Sequence, residues 1–98
     1  MSLIVVNQEA LSGVSQRFVA LQGELVNIKN QMRQCTDSAV EAGFTGQTSD
    51  RMQEFVYGPA SNNLDQCADM CEQMSYAINH TCEQFAAADQ QLSGTFGG

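Results

Sequence analysis

The sequence predicts an all-α fold: an antiparallel two-helix hairpin that pairs into a four-helix bundle as a dimer. Three observations carry this. Apolar or small residues recur at steps of three and four along both halves of the 98-residue chain, which keeps side chains in one stripe along a helix. Gly43-Phe44-Thr45-Gly46 interrupts the pattern near the midpoint, and the one proline, Pro59, lies well beyond it. No segment alternates polar and apolar residues as a half-buried strand does.

Helix one is expected over about residues 8–42. Its stripe runs through Leu11, Val14, Phe18, Leu21, Leu25, Ile28, Met32, Cys35, Ala39 and Ala42 without a missed step. Asn7 can cap the start, and Glu9 faces the positive end of the helix dipole. At 1.5 Å per residue the helix is roughly 50 Å long. Residues 43–47 form the turn, with Phe44 expected to tuck beneath it. So short a connection returns the second helix alongside the first.

Helix two is expected over about residues 48–92. Ala60, Leu64, Cys67, Cys71, Met74, Ile78, Cys82, Phe85 and Leu92 line one face. Thr48 or Ser49 can cap it, with Asp50 in the first turn. Gly58-Pro59 predicts a kink near 58–59, because proline removes an amide donor and restrains the residue before it. Gly94 is a natural stop, leaving a loose tail over 94–98. Residues 1–98 thus read as a single helical-hairpin domain.

A lone hairpin covers only one seam. Val19, Val26, Val40, Phe55, Val56 and Tyr57 lie beside the stripes and widen them beyond what one neighbour helix can bury. Covering them gains about 25 cal/mol per Å². A homodimer, or a heterodimer with another helical hairpin, is therefore expected, and these six residues are the candidate partner interface.

Composition excludes other classes. Four Lys and Arg against eleven Asp and Glu give a net charge of −7, the wrong sign for nucleic acid. The run Leu3-Ile4-Val5-Val6 is far short of the roughly 18 residues of a membrane span, and it lacks the form of a cleaved signal peptide. Residues 1–46 hold three bases and four acids, net −1, whereas residues 47–98 hold one base and seven acids, net −6. Helix two therefore carries either a solvated acidic face or one shown to a basic partner.

The four cysteines, Cys35, Cys67, Cys71 and Cys82, test the hairpin geometry. With the fold near residue 45, Cys35 lies about 16 Å along the axis from Cys67, too far to bridge. All four fall on the expected stripes, where cysteine acts as a small hydrophobe. A thiol-based metal or redox module using Cys67, Cys71 and Cys82 is the alternative class, but Cys-x-x-x-Cys on a plain helix is a poor zinc match. His80, the one histidine, has no readable nucleophile and acid around it. No catalytic set, metal site or cofactor is expected, and the chain is not read as an enzyme.

The length, the two helices and the turn Phe44-Thr45-Gly46 resemble the WXG family, the small ESX-type helical proteins of bacterial type VII secretion. Phe44 stands where that family has Trp. A second element is Phe85-Ala86-Ala87-Ala88-Asp89, similar to the family's Tyr-x-x-x-Asp/Glu export signal. This Phe-x-Gly and Phe-x-x-x-Asp form looks like the helical partners of LXG toxins. The resemblance spans about residues 7–92. It implies turn-motif roles for Phe44 and Gly46 and export-motif roles for Phe85 and Asp89. It also implies pairing with a helical partner, such as the N-terminal helical domain of a toxin, and presentation to a secretion ATPase. Export would follow cytoplasmic folding by a signal-peptide-independent route. A homodimeric secreted effector acting by itself is the second version. On spacing alone, Phe85 is also a seam residue and Asp89 a solvated charge.

Overall fold

The computed structural model describes the backbone of residues 7–96 and the side chains of residues 7–88. It is all-helical among those residues. Helix α1 spans Gln8–Glu41, α2 spans Gln47–Phe55, a π-helical turn spans Val56–Ala60, and α3 spans Ser61–Phe96. Asn7 caps α1, its side-chain oxygen accepting from the Ala10 amide at 2.9 Å. This satisfies one of the orphan donors of the first turn. The C-terminal half of the chain packs back along α1 as an antiparallel hairpin.

The turn runs tightly. The Phe44 amide donates to the Ala39 carbonyl at 3.0 Å. Gly43 and Gly46 have φ of 102° and 105°, which only glycine adopts cheaply. Helix two starts earlier than expected, with Gly46 at its N-cap and no side-chain cap. Ser49 points inward instead, at 1% exposure, and donates to the Phe44 carbonyl at 2.8 Å. That bond fastens the turn. Phe44 itself is not tucked away; it is 42% exposed.

Gly58-Pro59 does not break the helix. Pro59 lacks the amide that an α-turn requires, and the π-turn takes up the irregularity with one extra residue. The extra residue shifts the phase of the helix. Val56 and Ser61 both face inward although they are five apart, and the Ser61 hydroxyl donates back to the Val56 carbonyl. Beyond this point α3 stays helical through Gly94 to Phe96. The expected place of Leu92 on the seam lies outside the described side chains.

The hairpin is one helix layer deep, with extents of 76 × 22 × 15 Å. Its radius of gyration is 22.1 Å, far above the ~13 Å of a compact domain of about 100 residues. Its interior is unusual in kind. Among the described residues the buried apolar side chains are Val56 and Ala68, whereas Ser15, Thr36, Ser49, Ser61 and Ser75 are buried polar ones. Every buried side-chain polar atom described has a partner. Ser15 and Ser75 hydroxyls meet across the seam at 2.8 Å. Thr36 donates back to the Met32 carbonyl. Small side chains let the two backbones close, and the hydroxyls repay their desolvation by bonding.

Candidate partner-binding face

The inward side chains fall on heptad rows. In α1 the seam consists of Leu11, Phe18, Leu25, Met32 and Ala39 with a second row of Ser15, Gln22, Lys29 and Thr36; all are buried or half-buried. In α3 it consists of Leu64, Cys71, Ile78 and Phe85 with Ser61, Ala68, Ser75 and Cys82. The sequence stripe was half right. It shares the first row of each helix and Cys82 of the second α3 row, but most of its other members face outward. Val14, Leu21, Ile28 and Cys35 are exposed on α1, and Cys67 and Met74 are exposed on α3. The polar rows won the seam because their small or flexible side chains permit close approach and cross-helix bonding.

These outward rows belong to one face. In α1 the outward row stands one residue before a seam row, 14 before 15 and 21 before 22. In α3 the offset is the same, 67 before 68 and 74 before 75. Each row is thus turned from the seam by the same hand, viewed from its own N-terminus. Because the helices are antiparallel, equal-handed offsets bring both rows to the same side of the hairpin. One heptad row is a seventh of a turn, about 50°, so the outward row stands about 75° from the middle of the two seam rows, on the open side of the hairpin. An open groove of about 180 Å³ lined by Val14, Arg17, Phe18 and Leu21 opens on this face.

The opposite edge is held by polar contacts. Lys29 pairs with Asp65 at 2.7 Å, and Gln22 reaches Glu72 at 3.3 Å. Arg33 donates to Ser61 at 3.1 Å and lies 5.0 Å from the centre of the Tyr57 ring. The Tyr57 hydroxyl reaches both Asp37 carboxylate oxygens, at 2.6 and 2.8 Å. That bond is the main cause holding the Tyr57 phenol above its ordinary value; lost hydration and the Asp37 charge add to it, while Arg33 opposes.

The residues proposed from sequence are scattered over this framework. Val19 and Val26 are exposed, in one row with Arg33 and the half-buried Val40, on the edge opposite the outward face. Phe55 is exposed near the turn, and Tyr57 is committed to Asp37. Val56 is one of the two buried apolar residues, so it serves the hairpin and has no surface for a partner. Phe44 and Gly46 lie at the turn. Phe85 is half-buried on the α3 seam row. Asp89 belongs to α3, but its side chain lies outside the described residues.

The cysteines are free thiols. Cys35 and Cys67 are exposed, Cys71 and Cys82 half-buried. Their placement corrects the expectation that all four line the inner seam: the outward rows take Cys35 and Cys67. No group of three His, Cys, Asp or Glu side chains suited to a metal ion occurs among the described residues. No described helix is long and apolar enough to cross a membrane. Compared with known proteins, the chain matches no family model, no curated protein and no solved structure.

Proposed function

We propose that this chain is a binding protein of bacterial type VII secretion, a secreted protein or toxin-targeting partner that works by helix pairing and not by catalysis. Its outward face closes on another helical hairpin, or on the N-terminal helices of a toxin, to complete a four-helix bundle. The observation that carries the pairing is the uncovered apolar face. Val14, Leu21, Ile28 and Met74 are 42–45% exposed on one side of a hairpin only one helix deep. Contiguous apolar surface of this kind marks an interaction site in a soluble chain.

The secretion part rests on the resemblance of Phe44-Thr45-Gly46 and Phe85-x-x-x-Asp89 to the WXG turn and export signal. Residues four apart on a helix share a face, so Phe85 and Asp89 can offer a ring and a carboxylate together to a secretion ATPase. The protein would fold in the cytoplasm and leave by a route that needs no cleaved signal.

The test is secretion of Phe85→Ala from a bacterium with a working type VII system. Export is expected to fall to background with partner capture retained; because Phe85 is half-buried on the α3 seam row, circular dichroism checks that the loss is not one of folding. Normal secretion of the variant would refute the export role.

A further inference from the structure

We infer that Cys67, Met70, Cys71 and Met74 on α3 form a binding site for a soft monovalent cation, Cu(I), held by the two thiolates and backed by the two thioethers. The inference goes beyond the pairing reading and does not rest on it.

Placement is the first argument. The chain has four Cys and five Met, and four of these sulfurs fall within residues 67–74. Their spacing is i, i+3, i+4 and i+7. On an α-helix that spacing fans the four side chains over about 100° of one face. The segment lies inside α3, beyond the π-turn, so the helical spacing holds. All four residues are open to solvent on one side: Cys67 is exposed, Cys71 half-buried, Met70 63% exposed and Met74 45% exposed. Oxygen ligands are drawn away from this face. Asp65 pairs with Lys29, and Glu72 accepts from Gln22 across the hairpin.

Distance is the second argument. Residues four apart on a helix have Cβ atoms about 5–6 Å apart. A disulfide needs about 3.5–4.5 Å between Cβ atoms, so an unbroken helix keeps Cys67 and Cys71 as thiols. A cation between two thiolates needs sulfurs only about 4.6 Å apart, twice a metal–thiolate bond of about 2.3 Å. Side-chain rotation meets that span without moving the backbone. Long side chains on a helix lean toward its N-terminus. The Met70 thioether therefore reaches over the turn that carries Cys67, and the Met74 thioether over the turn that carries Cys71.

The donor set chooses the ion. Thiolate with thioether is a soft combination that favours Cu(I), whereas hard cations require oxygen. Structural Zn²⁺ sites take four thiolate or imidazole ligands, and no group of three His, Cys, Asp or Glu suited to a metal occurs among the described residues. On binding, Cys67 and Cys71 each lose a proton to solvent. One Cu(I) and two thiolates then make a centre of charge −1, and no electron is transferred.

The test is an anaerobic titration of the reduced full-length chain with Cu(I), in competition with a chromogenic Cu(I) chelator. Cys67 and Met74 also stand on the outward row, so the chain is titrated alone, with no partner to cover them. One Cu(I) per chain should be withdrawn from the chelator, with a thiolate-to-metal band in the ultraviolet that excess Zn²⁺ does not remove. Cys67→Ser and Cys71→Ser should each abolish the uptake. Met70→Leu with Met74→Leu should weaken it about tenfold, the effect of losing a supporting ligand. Cys35→Ser with Cys82→Ser should leave it unchanged. Circular dichroism checks that each variant stays helical. No withdrawal of Cu(I), uptake that survives Cys67→Ser, or uptake lost equally in Cys35→Ser with Cys82→Ser overturns the site. An unchanged affinity in the double methionine variant overturns the four-sulfur assignment.

Discussion

Replacing Leu21 and Ser15 by alanine separates the two surfaces of α1. Leu21 is 44% exposed in the hairpin. Full burial of a leucine is worth about 1.5–3 kcal/mol, so covering the part still wet gains about 1 kcal/mol per chain. Leu21→Ala should therefore weaken pairing by about 1 kcal/mol, or roughly fivefold in Kd. The hairpin itself should change less, because alanine is the better helix former and offsets part of the lost contact. Ser15 is 3% exposed and bonded to Ser75. Ser15→Ala removes a seam bond and leaves a buried hydroxyl to find a new partner, costing the hairpin about 1–2 kcal/mol. Ser15→Ala with Ser75→Ala should recover part of that, since no hydroxyl is then orphaned. Sedimentation equilibrium reads the Kd, and circular dichroism melting well below that concentration reads the hairpin. The reasoning is refuted if Leu21→Ala pairs normally while Ser15→Ala loses pairing, because the partner would then be entering the inner seam.

Three further outcomes are expected. Gly46→Ala, at φ 105° and ψ −173°, forces a side chain into a region essentially restricted to glycine and should destabilise the hairpin by about 1–3 kcal/mol in thermal melts. In Tyr76→Phe the remaining phenol, Tyr57, should ionise above 10 by ultraviolet titration. Its pKa is raised in the fold, so its contact with Asp37 stabilises below pH 10 and is lost as pH rises through the folded value; ionisation at or below 10 contradicts the bond. A colorimetric thiol reagent should modify Cys35 and Cys67 faster than Cys71 and Cys82. On pairing, Cys67 should become protected with the outward face; four equal rates would contradict the assignment of rows.

The helices, the turn and one row of each seam were legible in the sequence because they depend on local spacing. Which flank completes the seam was not. Phe18, Leu25 and Met32 are common to two overlapping stripes, one completed by Val14, Leu21 and Ile28, the other by Ser15, Gln22, Lys29 and Thr36. Apolarity favours the first as an inner seam, yet the helices close on the second. The readable signal was the recurrence of Ser and Thr at seam spacing on both helices, matched by Ser61 and Ser75 on α3. The proline raised a different difficulty. A kink was the local expectation at Gly58-Pro59, but the extra residue of the π-turn keeps Val56 and Ser61 on the same side. A sequence count in steps of three and four slips by one there, and Val56 is misplaced on the surface as a result.

The division of labour between the rows has a thermodynamic consequence. Had Val14, Leu21 and Ile28 faced Cys67 and Met74 inside the hairpin, one chain could have hidden most of its apolar surface by itself. Instead hydroxyls and small or flexible side chains complete the seam beside the half-buried apolar row, and their bonds contribute about 1 kcal/mol each at best. A further hydrophobic term is held on the outside. Anything that covers that face binds the folded hairpin and not the unfolded chain, so it raises stability by mass action. The hairpin's persistence is then tied to the concentration of whatever it pairs with. Dilution weakens the fold as well as the complex, and both losses should follow the same outward rows while leaving the Ser15–Ser75 seam as the last contact between the helices.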